Sequence, residues 1–446
     1  VTQVYLADHV LPIGSVPIRN GAVAVRDGVI LAVGPRAQVL AECPVAGVEE
    51  LGAAVLLPAL VNAHTHLEYA TYGGFGDGLP FAAWLADHVA RRTRLLPGDA
   101  EAAAALGALL SLQAGVGTVA DASYSGVAVA AASDAGLRAI IHLEVFGGPD
   151  ADPVAVAAAL QSRLATAGAE AGGLVRLGVS PHSPYTVSPA VFCAVDALAR
   201  EQGLTVMTHA AESAAELEAV AYGTGPLADA LAELTQIEAT GMHPIDLLAD
   251  GGLLHPGVIL VHAVQLLPGH VERIGAAGAS VIHCPRSNAL LGCGAAPIAD
   301  LLAAGVVVGI GSDSPASAID FDLWAELRTA LMVARQREGR SDVLTAAAVL
   351  ECATLGGARA LGIDDQVGSL TVGMRADLTA VDLTGSPYAS VEDPAVAAVF
   401  SGSPERTLLT IVDGVVRYRK GIDAGRLASL VAAALPGRTR MIGPTT

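Results

Sequence analysis

The chain has 446 residues, more than one hydrophobic core ordinarily serves, so its length predicts two or three domains or one large barrel with additions. Its formal charge of −19 argues against nucleic acid as a partner. Hydrophobic residues make up 52% of the chain, yet no uncharged apolar run reaches the roughly 18 residues of a membrane span.

Asp8, His9 and Arg19 interrupt any apolar leader segment, so a cytoplasmic protein with no membrane contact is expected. Residues 1–55 alternate in strand fashion, and "RDG" at Arg26–Gly28 reads as a hairpin turn. From about residue 52 to 315 one unit then recurs: a short aliphatic run, a polar terminus and an Ala/Leu-rich helical stretch. The runs are "AVLLPALVNAHTH", "GVGTVAD", "LRAIIHLEV", "LVRLGVSPHS", "LTVMTHAAE", "GVILVHA", "ASVIHCP" and "VVVGIGSD". Eight strands alternating with helices predict an α/β fold with a closed (β/α)8 TIM barrel. One intervening helix, "PAVFCAVDALAREQG", ends at Gly203 as a C-cap. The segment from 366 to about 420 alternates again, and the tail after Gly421 reads as a helix over the surface. Neither flank is long enough for its own core, so both are expected to pair in a small β-sandwich. The expected division is 1–55 and 366–446 for that unit and 56–365 for the barrel.

In such barrels the active site gathers at the C-terminal ends of the strands. The polar residues there are His64, His66, Asp121, His142, Glu144, His182, His209, Glu212, His262, His283 and Asp313. Histidines end five or more strands in a chain with twelve in all, which points to one shared metal site. His64 and His66, one residue apart at a strand end, project to the same side. His9, His88, His243, His255 and His270 read as ordinary loop or helix residues. The only lysine is Lys420, so neither a Walker lysine nor a carbamylated lysine bridging two metals is available, and one ion is expected. The five cysteines are scattered without a C-x-x-C pair and read as buried free thiols.

Together "HTH" (64–66), "SPHSPYTVS" (180–188), "HAAE" (209–212), "VHAV" (261–264), "HCPRSN" (283–288) and "GSDSPAS" (311–317) resemble the amidohydrolase superfamily, in its mononuclear deaminase and chlorohydrolase branch. The resemblance implies His64, His66, His209 and Asp313 as ligands of one divalent ion, zinc first, with iron or manganese as alternatives. It also implies Asp313 as acceptor of the attacking water's proton, His262 as the residue orienting that water, and Glu212 as the proton donor to a ring nitrogen. His182 resembles the family's substrate-contacting histidine, and Trp84 a wall beside a nucleoside.

The reaction implied is hydrolytic deamination of a small molecule, a 6-aminopurine nucleoside. Where S-adenosylhomocysteine and methylthioadenosine deaminases carry a ribose-binding glutamate after the tryptophan, this chain reads "RRTR" (91–94). "HTHLE" and "LEVFG" instead look like 6-aminodeoxyfutalosine deaminases of the alternative menaquinone pathway. An arginine, Arg91, Arg92, Arg94 or Arg286, would then meet the substrate's benzoate, and Glu68 and Glu144 would take ribose hydroxyls. The alternatives are a methylthioadenosine or S-adenosylhomocysteine deaminase, a deaminase or chlorohydrolase of another ring, and an inactive barrel kept as a scaffold. The last would be expected to have lost ligands. A homo-oligomer is left open.

Overall fold

The structure, a computed structural model, describes residues 2–43, 47–389 and 392–443. Eight parallel strands follow one another in chain order: Leu60–Thr65, Val116–Ser123, Arg138–Val145, Val175–Pro181, Val206–Ala210, Val258–His262, Ser280–His283 and Val308–Ile310. The ring closes where the Asp313 amide donates to the His64 carbonyl oxygen at 3.1 Å. Gly311 permits that closure, because a Cβ there would sit 2.8 Å from both Cβ and O of His64. Val61, Ala120, Ile140, Met207, Ile259 and Ile282 share one buried cluster inside the ring, joined by Leu361, Ile363 and Val367. Strands buried on both faces read as continuous apolar runs, as these do.

The helices between strands show their punctuation in the sequence. Pro189–Gln202 starts with the Ser188 hydroxyl accepting from the Val191 amide and stops at Gly203, whose φ of 66° suits a residue without a Cβ. The long apolar stretch near residue 110 divides into the helix Asp99–Gln113 and the strand Val116–Ser123, and no helix among the described residues is long and apolar enough to cross a membrane.

Both termini build a second sheet. Its strands are Gln3–Val10, Ile18–Arg26, Val29–Pro35, Gly47–Glu50 and Ala54–Pro58 from one end, with Leu378–Asp382, Thr407–Val412 and Val415–Arg419 from the other. The expected small terminal domain is present: its strands form one hydrogen-bonded path in which Ala54–Pro58 pairs antiparallel with Leu378–Asp382 to join the two halves, and Tyr5, Val23 and Ile30 share one buried cluster with Leu378, Leu409 and Ile411. Asp27 and Gly28, with φ of 52° and 76°, make the expected hairpin turn.

One expected element is two. The run 54–66 divides after Pro58: the Ala59 amide donates to Asp377 O in the terminal sheet, and the Leu60 amide donates to Gly115 O in the barrel. A proline cannot donate to a ladder, so the chain changes partners there. The two units are tied by a buried bidentate pair, Arg138 Nε and Nη2 to Asp377 Oδ2 and Oδ1 at 2.8 and 3.0 Å. The C-terminal helix Ala424–Ile442 packs on the helices Asp99–Gln113 and Phe81–Arg92. All five cysteines are free; Cys284, Cys293 and Cys352 are buried as expected, but Cys193 is exposed.

Candidate active site

Nitrogen atoms of His64, His66 and His209 lie within 4.8 Å of one another. Asp313 brings Oδ1 to 3.7 Å from His64 Nε2 and 3.6 Å from His66 Nε2. Simple strand alternation does not account for this. Val61 and Ala63 already face the barrel interior, and the pairing register shifts between Asn62 and Thr65, which lets His64 turn inward as well. Asp313 and His262 sit at backbone φ of 55° and 75°, a left-handed conformation that side chains rarely adopt and that re-aims both into the mouth of the barrel.

The second nitrogen of each imidazole is already committed. His66 Nδ1 donates to Ala122 O at 2.7 Å and His209 Nδ1 to His182 O at 2.9 Å; a carbonyl only accepts, so both rings present a bare Nε2. His64 Nδ1 lies 3.2 Å from the Met207 sulfur, and its buried Nε2 has no hydrogen-bond partner. Burial pushes His66 down to about 4 and lowers His64 and His209, so these imidazoles are neutral at pH 7. Asp313 Oδ2 accepts from Ser287 and Ser317 hydroxyls, each at 2.7 Å, leaving Oδ1 turned to the imidazoles. Three neutral imidazoles, one of them with an orphaned nitrogen, and one anchored carboxylate fit a single divalent cation. This is a histidine-rich candidate metal site.

Glu212 follows on the same strand-end turn. It is buried, and burial, with Asp313 and Glu216 nearby, raises its carboxyl well above the usual range, which favours its protonated form. Its turn is held by Glu216, whose carboxylate accepts from the Ala211 and Glu212 amides at 2.9 and 2.6 Å while the Ser213 hydroxyl accepts from the Glu216 amide. His262 Nε2 stands 3.5 Å from Glu212 Oε1, and its Nδ1 is fixed 2.8 Å from Asn288 Oδ1.

These groups open on a cavity of about 450 Å³ whose walls include Trp84, His88, Arg92, Tyr124, Glu144, Phe146, His182 and Tyr185. Trp84, His88 and Arg92 are spaced by four along the helix Phe81–Arg92, so one helix face supplies them all. Trp84 is pinned by donating from Nε1 to Ala316 O at 3.0 Å. The His182 ring stacks on Phe146 at 4.9 Å between centroids, and its Nδ1 meets the Ser183 and Thr186 hydroxyls.

A model of the amidohydrolase family matches residues 55–417, the barrel together with the last strands of the terminal sheet. The chain belongs to the amidohydrolase family. This amidohydrolase is 35% identical to a 5-methylthioadenosine/S-adenosylhomocysteine deaminase of Nitratidesulfovibrio vulgaris (strain DSM 19637 / Miyazaki F), over 91% of this chain and 89% of the relative. It also superposes on the crystal structure of an adenosine deaminase from Xanthomonas campestris with bound zinc, at TM-score 0.85 and 30% identity over 99% of both chains. An atrazine chlorohydrolase from Arthrobacter aurescens complexed with zinc shares the fold at TM-score 0.82 and 24% identity, over 97% of this chain and all of that one (100%). The amidohydrolase is thus an enzyme, a hydrolase acting on carbon–nitrogen bonds.

Two expected substrate contacts in the amidohydrolase lie elsewhere. Glu68 accepts from the Ser123 hydroxyl and from the Ser125 amide and hydroxyl, so its carboxylate is engaged outside the cavity lining. Arg286 serves the buried Glu326, which needs a counter-charge, and also donates to Asp320 at 2.7 Å. Conversely, His88 is a buried wall residue, packed against Tyr69, Tyr72 and Trp84 rather than an ordinary helix position. Its spacing of four from Trp84 was the available signal. Ser213 and Glu216 likewise spell the S-x-x-E pattern of a helix start. His142 turns to Thr205, His283 is buried away from the cavity, and Asp121 accepts from the Leu67 amide at 2.6 Å.

Proposed function

We propose that the amidohydrolase is a metal-dependent deaminase of a 5′-substituted adenine nucleoside, of the methylthioadenosine or S-adenosylhomocysteine kind. The observation that carries this reading is the meeting of the imidazole–carboxylate set with a buried Glu212 on one cavity. The relative of that substrate name, similar along nine-tenths of the chain, supports the ring and the ribose-side substituent.

In this reading His64, His66, His209 and Asp313 hold one divalent ion, zinc before iron or manganese, as three histidines and a carboxylate suit it. Such an ion lowers the pKa of a bound water from about 15.7 towards 7. The chain's own residues do the rest. His262, locked by Asn288, orients the attacking water, and Asp313 takes its proton. Glu212 gives its proton to the purine ring nitrogen beside the reacting carbon; the water's first proton, passed on from Asp313, lets the exocyclic amine leave as ammonia when the C–N bond breaks, and the remaining hydroxyl proton returns to Glu212 as the carbonyl forms. His182, Trp84 and Tyr185 flank the ring and exclude solvent. Glu144, with Oε1 buried and lacking a partner, accepts from ribose hydroxyls.

A second substrate, 6-aminodeoxyfutalosine, is supported by one observation, an arginine (Arg92) in the cavity wall where its benzoate needs a cation. The test is kcat/KM of the zinc-loaded protein for adenosine, methylthioadenosine, S-adenosylhomocysteine and 6-aminodeoxyfutalosine, followed by ultraviolet absorbance. A preference for 6-aminodeoxyfutalosine would select the second reading. Loss of chloride from a chlorotriazine without turnover of any nucleoside would overturn both.

A further inference from the structure

Five arginines cluster around the cavity rim or were candidates for it, and four are already engaged. Arg91 pairs with Asp87 at 2.7 Å and donates to Met441 O at 3.0 Å. Arg94 also donates to Met441 O, at 2.7 Å. Arg163 donates to the carbonyl oxygens of Glu144 and Tyr124 at 2.7 and 3.0 Å, which fixes the two strand ends those residues extend. Arg286 belongs to Glu326 and Asp320.

Arg92 differs. It lines the cavity, its guanidinium carbon lies 3.7 Å from the centre of the Tyr124 ring, and no carboxylate among the described residues comes within 4.0 Å of its nitrogens. A guanidinium lying on an aromatic face is held by its π surface; the Tyr69 hydroxyl takes one of the Arg92 N–H groups, and the others stay available to a planar acceptor. Tyr124 in turn is held in place by Arg163 through its own carbonyl. The last position of the helix Phe81–Arg92 therefore offers a positioned cation, held by two neutral tyrosines and without a carboxylate partner among the described residues, to whatever fills the cavity.

We propose that Arg92, stacked on Tyr124, is the specificity-determining residue of this pocket and receives an anionic group carried by the substrate away from its reacting ring. This deepens the deaminase reading and rests on it for the identity of the ring, though not for the anion site. Neutral nucleosides then leave the cation without its partner. Within the substrates of that reading, those bearing a carboxylate or phosphate are then preferred, S-adenosylhomocysteine over methylthioadenosine.

The test measures both kcat/KM and equilibrium binding, by calorimetry, for two neutral probes, adenosine and methylthioadenosine, and three anionic ones. The probes that carry an anionic group are S-adenosylhomocysteine, whose carboxylate sits beside an ammonium, 6-aminodeoxyfutalosine and adenosine 5′-monophosphate, which separate carboxylate from phosphate. For at least one anionic probe, wild-type protein should exceed both neutral probes by roughly 10- to 150-fold, the range of one charge-assisted contact. In Arg92→Gln that ratio should fall by a similar factor, and Arg92→Lys should retain part of it. A general disturbance of the pocket lowers neutral and anionic probes together and leaves the ratio unchanged, which would overturn the proposal. So would a wild-type protein that treats neutral and anionic probes alike. Anion-dependent binding lost in Arg92→Gln, with no nucleoside deaminated, would sustain the anion site and sink the deaminase reading.

Discussion

The His209 imidazole donates its Nδ1 proton to the His182 carbonyl oxygen at 2.9 Å, so the end of the fourth barrel strand sets the tautomer of a nitrogen donor on the fifth. Metal-binding histidines are ordinarily oriented by such second contacts, and removing one costs roughly 10- to 100-fold in metal affinity. The same logic reaches Asp313 through Ser287 and Ser317. The double variant Ser287→Ala/Ser317→Ala should bind zinc about 10- to 100-fold more weakly than wild type in a competitive chelator titration. Purified wild type should carry about one ion per chain, and His209→Gln well below one. Unchanged affinity in the serine variant would show that Asp313 does not depend on those hydroxyls.

Glu212→Gln should keep the metal and lose about 10²- to 10⁴-fold in kcat, because the amide keeps the shape but cannot deliver a proton. Elemental analysis alongside the kinetics separates the two roles. Loss of metal together with activity would make Glu212 a ligand instead.

The C-terminal helix should matter to substrate binding although none of its residues lines the cavity. Arg438 donates to the Thr71 carbonyl oxygen, Met441 is buried beside Tyr69 and Tyr72, and Arg91 and Arg94 reach its carbonyl from the helix that carries Trp84, His88 and Arg92. Met441→Ala empties a buried site at a cost of about 2–5 kcal/mol in stability. KM should rise by more than kcat falls, since the wall loosens while the donor set at the strand ends stays. A drop in kcat with KM unchanged would contradict this.

Two buried imidazoles outside the cavity should each make stability depend on pH. Burial pushes His142 down to about 4 and His283 to about 3, whereas both titrate near 6.5 when unfolded. Between pH 6.5 and about 4 these two rings bind more protons in the unfolded chain than in the folded one, so their contribution to stability falls as pH falls, while Glu216 and Glu326, raised by burial to about 7, contribute in the opposite direction. Each such imidazole contributes up to about 1.4 kcal/mol per pH unit within its window. Urea unfolding of the metal-free protein at pH 7.5 and 5.0 checks this. The loss of stability between the two pH values should be smaller in His142→Gln and His283→Gln than in wild type, and an equal loss in both variants would mean that neither ring stays neutral in the native state.

The barrel and the meeting of His64, His66, His209 and Asp313 were legible in the sequence for one physical reason. Parallel strands of a closed barrel all end on the same rim, so a polar residue ending an apolar run is placed by topology alone. Glu212 was legible with them because it lies on the turn that directly follows such an end. The linear pattern was less informative where the chain changes partners: the run 54–66 looks continuous, but its first half bonds to the terminal sheet and its second to the barrel. The cavity wall away from the strand ends was decided by tertiary structure. Four arginines were candidates for one role, and which of them is free depends on where Glu326, Asp320, Asp87 and the Met441 carbonyl lie. Glu68 was settled the same way by Ser123 and Ser125. A charged side chain takes its meaning from the partner that satisfies it, and that partner is distant in sequence: Arg286 finds Glu326, while Arg92 finds the face of Tyr124 and the Tyr69 hydroxyl.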